Sequence, residues 1–451
     1  MSAATVFDST LFGNIFGTEE ARQAFSERSY VANLIKAECA LAEAEEAEGI
    51  VPGGTAANRC RNGFPKRLLE PQAGYIHWGA TTQDIMDLAS VLQMKTGLEI
   101  VERLLRKVTS TLETMSAAYR DVPMAGRTHL QHALPITFGY KCAVWLAGFR
   151  RHVKRLEQIK ESCLLVQFGG AAGTLASLGT SDSGIRVRKR LATILGLQDP
   201  IITWHVARDT VAEIINYLAL VGGSLGKIAL DLIIMSSNEL NEVAEPYVPH
   251  RGASSTMPQK RNPISSEVIL AQSKIVRSQA GLVLDGMVSD FERASGPWHL
   301  EWAAIPTAFI SIVGSLYQAE FALSGLQVNK DAMMANLKST RGLIVAEAVM
   351  MDLAKYTGRQ EAHEIVYKAC VKAHENSMSL QEALEESSQV TSHLASPDLA
   401  KLCDPTRYLG CCQLMLDELL GQRGAHDNGN GMDLNGNNGI ADTNGITNGS
   451  H

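Results

Sequence analysis

The 451-residue sequence predicts an all-α fold built from a bundle of long helices. Four long stretches contain no proline, namely 85–121, 136–199, 201–245 and 264–290. Apolar residues recur in them at helical spacing, and few segments alternate with period two. Helices of this length exceed the usual ten to fourteen or so residues, so they are expected to need partner subunits to bury their faces.

The elements follow in order along the chain. Residues 19–48 predict the first helix, and 51–74 shows no clear pattern. The run 201–245 has room for one helix of roughly forty residues, bent at Gly222-Gly223. Residues 361–387 begin a smaller helical unit. The Asn- and Gly-rich tail 423–451 lacks the apolar groups that would offset its chain entropy, so it is expected to be disordered.

Composition narrows the classes of function. A net charge of -7 and a pI near 6.0 disfavour nucleic acid or an anionic membrane as the main partner. The N-terminus has no signal-peptide pattern, and no run reaches 18 apolar residues, so we expect a cytoplasmic protein without a membrane span. The eight cysteines form no CxxC pair, which favours reduced thiols over disulfides or zinc.

The segment His250–Pro263 combines small residues, three hydroxyl groups and two prolines with several basic side chains. Gly252 leaves its backbone free, and the prolines disfavour helix at the residues before them. A proline-free stretch, 264–290, follows at once. A mobile loop on a rigid helix is a common way to build a closing active site, although a basic surface loop has the same composition.

The pattern Gly-x-Ser-Ser-x-Met-Pro-x-Lys-x-Asn-Pro in this segment resembles the signature loop of the fumarase/aspartase superfamily of lyases, with Ala253 inserted before the first serine. The resemblance implies that Ser254 is the general base and that Ser255 contacts substrate. It also implies that Lys260 and Asn262 grip a substrate carboxylate.

A second segment, Gly126–Gly139, carries two histidines three residues apart, His129 and His132. That spacing on a helix would permit a metal site, but neither HExxH nor a nearby cysteine or carboxylate ligand supports zinc. Histidines satisfied by hydrogen bonds in a turn are the simpler interpretation, which leaves Arg127 and Gln131 unexplained.

The second segment is also similar to the superfamily, whose pattern there is Gly-Arg-Thr-His-x-Gln-x-Ala-x-Pro-x-Thr-x-Gly. The resemblance implies that His129 is the general acid, a role that suits imidazole near neutral pH. His132 is a second candidate, and Glu267 is expected to orient the acid. Arg127 and Gln131 are expected to bind substrate.

A third segment, Tyr75–Asp84, precedes the run 85–121. Thr82, Gln83 and Asp84 suit a helix N-terminus, where capping and anion binding can coexist. This segment resembles the superfamily region that contacts substrate carboxylates, which implies His77, Thr81 and Thr82 as substrate-binding residues.

Further matches, such as Trp204–Asp209 and Trp298–Trp302, resemble the branch containing 3-carboxy-cis,cis-muconate cycloisomerases and adenylosuccinate lyases. The resemblance implies a homotetramer with a central multi-helix core and three helical domains in each chain. The domains are 1–84, which is shortened at 51–74, then 85–330 and 331–422, followed by the tail 423–451.

The resemblance implies β-elimination or its reverse, addition, on a small anionic dicarboxylate or tricarboxylate, with no metal or organic cofactor. A cycloisomerase-like activity is the first interpretation. A succinyl C–N lyase of adenylosuccinate lyase type that releases fumarate, or a biosynthetic elimination enzyme, is the alternative. A non-catalytic helical oligomer is the alternative from another class, because the segment 51–74 is short.

Overall fold

The computed structural model describes residues 5–55, 74–248, 251, 256–257, 259–293 and 295–421. Helices dominate this part of the chain, which confirms the predicted helical class. The α-helices are α1 Gly13–Phe16, α2 Glu19–Ala24, α3 Glu27–Ala47, α4 Thr82–Ala118, α5 Phe138–Cys163, α6 Ser183–Leu195, α7 Asp209–Met235, α8 Ile264–Gly286, α9 Trp298–Ser324, α10 Lys330–Lys338, α11 Ala346–Thr357, α12 Arg359–Glu375, α13 Leu380–Glu385, α14 Ser388–Thr391, α15 Ser396–Leu402 and α16 Cys412–Leu420. Two short antiparallel sheets pair β1 Pro123–Thr128 with β2 Gln131–Thr137, and β3 Val243–Ala244 with β4 Gln327–Val328.

Long helices α4, α5, α7, α8 and α9 form the central bundle, in which α8 packs against both α7 and α9. The predicted single helix across 201–245 is wrong in length, because α7 begins at Asp209 and ends at Met235. The indole of Trp204 donates to the carbonyl of Val166 at 2.9 Å and holds the preceding segment outside the helix. Gly222 lies inside α7, and the close approach of α8 is one turn later at Gly226, where a Cβ would lie 2.9 Å from Ser273 Oγ.

The predicted first helix, 19–48, is two helices in the structure. Phe25 lies between α2 and α3 and stacks on Phe309, with ring centroids 4.9 Å apart. Ser26 then caps α3, because its hydroxyl accepts from the backbone N–H of Ser29 at 3.2 Å. Capping and core packing therefore divide a stretch whose apolar repeat is continuous.

Helices α11–α15 share a hydrophobic cluster that includes Leu353, Ile365, Leu384 and Leu399. A second, larger cluster runs through the bundle, from Ala21 to Met333. The domain boundaries at 84, 330 and 422 stay a prediction. The tail 423–451 and most of the shortened segment, 56–73, lie outside the described residues.

Two described helices, Asp209–Met235 and Trp298–Ser324, are long and apolar enough to cross a membrane by length and composition alone. Both are bundle helices that contact α8. About half of the apolar window of α7 and two thirds of that of α9 are buried inside the chain. Core helices of a bundle account for this pattern.

Four helix termini meet at one end of the bundle, which we call the Arg208 end. Arg208, just before α7, bonds both oxygens of Asp87 near the start of α4, at 2.8 and 3.0 Å. It also donates to Glu301 at the start of α9, at 2.8 Å. Gly286, the last residue of α8, lies against Pro297 and Glu301.

The opposite end of the bundle, which we call the Glu245 end, collects the other termini. Glu245 lies shortly after α7 and accepts from the backbone N–H groups of Ser265 and Ser266 at the start of α8. Gly325, just after α9, packs against Pro246. The 37 residues of α4 and the 23 residues of α8 therefore separate the two ends by roughly 35–55 Å, at 1.5 Å per residue.

Candidate active site

A cleft of about 690 Å³ opens at the Glu245 end, beside the start of α8. Its lining includes three of the predicted site residues, Lys260, Asn262 and Glu267. Glu267 lies in the first turn of α8 and is exposed. Ser254 and Ser255, the predicted base and its neighbour, lie outside the described residues.

The two borders of the signature segment are fixed to the bundle. On one side, Arg251 donates to the hydroxyl of Ser265 at 2.7 Å, and its guanidinium lies 3.8 Å from the centroid of the Phe321 ring. On the other, Glu245 caps α8, accepting from the N–H of Ser266 and from its hydroxyl, both at 2.7 Å. Glu245 lies twenty residues before the residues that it caps. Sequence spacing does not reveal a cap at that distance, so Glu245 was not predicted to have this role.

Lys260 is the cation of this cleft that makes no side-chain hydrogen bond or ion pair among the residues described. Its neighbour Arg261 is committed, because it donates to the Glu245 carbonyl at 3.1 Å and to Gln327 at 3.2 Å. Lys260 is exposed and lies beside Asn262 on the same wall. An uncommitted ammonium next to an amide suits recognition of a carboxylate.

The second predicted segment forms the hairpin β1–β2 rather than a helix, so the two histidines do not have the helical i,i+3 geometry. His129 and Leu130 make the two-residue turn, with φ of 52° and 62°. Positive φ at both positions is a type I′ turn, which normally takes Asn-Gly. Non-glycine residues in this region carry strain, and such strain is concentrated at functional sites. His129 and Gln131 are exposed at the tip of this hairpin.

Arg127, a predicted substrate-binding residue, makes a bidentate ion pair with Glu242, at 3.0 and 2.6 Å. Glu242 is fully buried and also accepts from Asn336 at 3.0 Å. The pair fixes the hairpin to the Glu245 end of the bundle. In this chain Arg127 thus has a structural contact, and its predicted contact with substrate stays a prediction.

We expect Arg127→Met to lower the free energy of unfolding by about 3 kcal/mol or more, because it leaves the Glu242 carboxylate buried and unpaired. Urea unfolding followed by circular dichroism measures the change. Arg103→Met is the matched control, since Arg103 pairs with Glu20 on the surface and such pairs contribute about 1 kcal/mol or less. Equal losses in the two variants would contradict the structural role of Arg127.

His132 pairs with Arg127 across the hairpin, and its Nδ1 is buried without a partner among the described residues. Burial and the Arg127 charge lower the pKa of His132 below its usual value. A lowered pKa favours the neutral imidazole at pH 7, which cannot donate as an imidazolium. These observations favour His129 over His132 as the acid, although no side-chain hydrogen bond joins His129 to Glu267 within the described part of one chain.

The third predicted segment lies at the Arg208 end, at the start of α4. Thr81 is the N-cap, and its N–H donates to Asp84 at 3.0 Å, while Thr82 is the first helical residue. His77 has φ of 61° and its Nδ1 lies 2.7 Å from a Glu38 oxygen. All three predicted contacts of this segment therefore lie together at one helix N-terminus, a place that favours anions.

Asp84 connects this helix start to the glycine-rich turn 169–173. Its fully buried carboxylate accepts from the N–H groups of Gly169 and Gly170, at 3.0 and 2.9 Å, and from Gln167 at 2.9 Å. The backbone N–H groups of Gly169 and Gly170 are thus already bonded within the protein.

Arg293, in the segment between α8 and α9, is a further candidate site residue. Its Nε donates to Gln83 Oε1 at 3.0 Å, beside Thr82 at the start of α4. No partner of its two terminal nitrogens is found within the described ranges. A guanidinium held at Nε and open at its terminal nitrogens is suited to a bidentate carboxylate contact.

The predicted site residues thus fall into two groups at opposite ends of one chain. Lys260, Asn262, Glu267 and the His129 hairpin lie at the Glu245 end, and His77, Thr81 and Thr82 lie at the Arg208 end. No single substrate can span the length of α8. The spacing of the motifs gave no sign of this separation, because it depends on the antiparallel packing of the long helices.

Two family models match the chain. One, described as "Lyase", matches residues 43–277, and another, described as "Adenylosuccinate lyase C-terminus", matches residues 342–419. The first covers just over half of the 451 residues. The second covers the C-terminal helical unit.

Full-length relatives agree with these matches. The chain is 41% identical to trans-aconitate decarboxylase 1 of Mycosarcoma maydis, over 93% of this chain and 89% of the relative. It is 36% identical to 3-carboxy-cis,cis-muconate cycloisomerase of Acinetobacter baylyi, over 91% of this chain and 98% of the relative. A crystal structure of a fumarate lyase from Mesorhizobium sp. BNC1 is 48% identical, with a TM-score of 0.83, over 90% of this chain and 99% of that one.

Proposed function

The chain belongs to the fumarase/aspartase superfamily and is a lyase-type enzyme, and from that premise we propose that it acts on an unsaturated tricarboxylate as a 3-carboxy-cis,cis-muconate cycloisomerase-like enzyme. The observation that carries the proposal is the cleft at the Glu245 end. There Lys260, which has no side-chain partner among the described residues, lies beside Asn262 in the segment that carries the superfamily pattern, and Glu267 of α8 lines the same cleft.

The substrate class is supported by the chemistry of the relatives' names. Trans-aconitate and 3-carboxy-cis,cis-muconate are both unsaturated and each carry three carboxylates. Recognition of three carboxylates requires several separate cationic or donor groups. Lys260 with Asn262, the α4 N-terminus with Thr81 and Thr82, and Arg293 supply three such groups.

The reaction follows from these groups. In the elimination direction Ser254 removes the proton from the carbon next to a carboxylate, which places a second negative charge on that carboxylate. Lys260 and Asn262 stabilise this dianion electrostatically. His129 protonates the leaving oxygen. In the lactonising direction the same groups act in reverse, as an internal carboxylate adds to the double bond and the adjacent carbon gains the proton.

We also propose that each active site is assembled from more than one chain of a homotetramer. The two groups of site residues lie about one α8 length apart, roughly 35 Å, so one chain does not complete a site. Helix α7 supports association as well, because Leu220 and Leu230 remain exposed on it. Since no cofactor is needed for this chemistry, we expect the purified tetramer to be active alone, and we expect it in the cytoplasm.

Decarboxylation is a second candidate function, favoured by the 41% identity to trans-aconitate decarboxylase 1. In that reaction the bond to one carboxylate breaks and releases carbon dioxide. The electron pair moves into the remaining unsaturated carboxylate, and an acid such as His129 supplies a proton to carbon. The same three anion-binding groups can bind the substrate of either reaction. The two reactions differ in the leaving group, which is carbon dioxide in the decarboxylation and an oxygen in the elimination.

We expect purified protein to consume 3-carboxy-cis,cis-muconate, with loss of the ultraviolet absorbance of its conjugated diene as the lactone forms. Trans-aconitate, followed by carbon dioxide release, and adenylosuccinate, followed by fumarate formation, complete the panel. Mass spectrometry identifies each product. Turnover of trans-aconitate alone would replace the first function by the second, and fumarate release from adenylosuccinate alone would favour the succinyl C–N lyase alternative.

A further inference from the structure

The side-chain amide of Gln83 is held on three sides at the start of α4. Its Nε2 donates to the carbonyl of His205 at 2.8 Å and to Asp87 at 3.3 Å. Its Oε1 accepts from Arg293 Nε at 3.0 Å. Gln83 is almost fully buried, at 4% exposure. Since both donors already face acceptors, the amide oxygen must face Arg293, and the amide cannot flip without losing all three bonds.

Asp87, the acceptor behind this amide, is itself immobile. It receives two bonds from Arg208, at 2.8 and 3.0 Å, and a third from the indole of Trp298 at 3.1 Å. Arg208 is in turn held by Glu301 at 2.8 Å. Asp87, Arg208 and Glu301 are all buried, so water does not compete for the bonds among them, and the network keeps Gln83 in one orientation.

Arg293, by contrast, is an exposed residue in the segment between α8 and α9. Among the described residues, its contact with Gln83 is the hydrogen bond that connects its side chain to the rigid bundle. A hydrogen bond at Nε fixes the plane of the guanidinium and leaves both terminal NH₂ groups available. Without that bond the long side chain would sample several rotamers, and ordering it on binding would cost free energy.

We propose that Gln83 is a positioning residue, which aligns the guanidinium of Arg293 for a bidentate contact with a substrate carboxylate at the α4 N-terminus. This inference depends on the proposed function, in which Arg293 supplies one of three anion-binding groups. Gln83 does not touch the reacting atoms, and it acts through Arg293 alone. The contact with Gln83 requires arginine. Lysine has a carbon where arginine has Nε, so it has no N–H there to donate to Gln83 Oε1.

The test measures binding of citrate, an unreactive tricarboxylate, by isothermal titration calorimetry. Gln83→Met, which keeps the size of the side chain and removes its hydrogen bonds, is expected to weaken citrate binding about tenfold or more in the presence of Arg293. In the Arg293→Ala background the same change is expected to have almost no effect. Equal weakening in both backgrounds indicates a general structural role and overturns the proposal.

Gln93→Met is the matched control, since Gln93 is also buried on α4 and its Nε2 donates to the carbonyl of Ala24 at 3.0 Å. We expect citrate affinity to stay unchanged in this variant. Arg293→Lys tests the alignment without altering a buried residue, and it should lose nearly as much affinity as Arg293→Ala. Wild-type affinity in the lysine variant would mean that charge alone suffices, which overturns the proposal.

The outcomes also separate this inference from the proposed function. If wild-type protein binds citrate but the effects of Gln83→Met and Arg293→Ala are additive, Gln83 has no positioning role. The proposed reaction is then still tested by the substrate panel. Wild-type protein that does not bind citrate overturns the inference. Turnover adds a second readout, since loss of alignment is expected to raise KM more than it lowers kcat.

Discussion

Ser254→Ala is expected to lower kcat by about 10²–10⁴-fold, the range typical of losing a general base. The loss follows from the role that the superfamily pattern assigns to this hydroxyl, which removes a weakly acidic proton next to a carboxylate. Substrate binding depends on Lys260 and Asn262, so KM is expected to change much less. Steady-state kinetics on whichever panel substrate the wild type consumes provides the measurement.

Ser388→Ala is the control for this variant, because Ser388 is an exposed serine at the start of α14 in the C-terminal unit. Its kcat is expected to equal that of wild type. A Ser254→Ala enzyme that retains most of its kcat would remove Ser254 as the base. The hydroxyl of Ser255 would then be the next position to replace.

Mixing two impaired variants is expected to restore activity, measured at a substrate concentration well below KM, if each site combines the two ends of different chains. Lys260→Ala damages the Glu245 end, and Arg293→Ala damages the Arg208 end. In tetramers formed at random from equal amounts, half of the sites have an intact Lys260 and half of those also have an intact Arg293. About a quarter of wild-type activity should therefore return, against almost none in either variant alone.

The control mixture combines Lys260→Ala with Asn262→Ala, which alter the same wall of the same cleft. Every site then carries one of the two changes, so no recovery is expected. The chains are co-expressed or refolded together, and the hybrid oligomers are separated by two different affinity tags. If the first mixture recovers no more activity than the control, the two ends do not meet in one site, and the composite arrangement is wrong.

The helical class could be predicted from the sequence, because long proline-free runs with helical apolar spacing are compatible with few other secondary structures. Helix boundaries were less well predicted. Within the run 201–245 the helix extends only from Asp209 to Met235. The stretch 19–48 is divided at Ser26, because the Ser26 cap and the packing of Phe25 interrupt a continuous apolar repeat.

The candidate site residues were identified by motif, but their partners were not. Nothing in the spacing of Arg127 indicates its ion pair with Glu242, 115 residues later, and nothing in that of Arg293 indicates its bond to Gln83. Such contacts join side chains that are distant in the chain and are brought together only by helix packing. A turn was one interpretation of the segment around His129, but the β-hairpin was not predicted, because His-Leu lacks the residues normally found in a type I′ turn.

The sequence by itself determined the family, the helical architecture and the set of chemical groups, because short motifs and apolar periodicity are properties of neighbouring residues. Only the tertiary structure decided where those groups lie, with the α4 N-terminus and Arg293 at one end of the bundle and Lys260 and Glu267 at the other. The physical reason is the rigidity of long helices. A helix of 23 residues fixes its two ends roughly 35 Å apart.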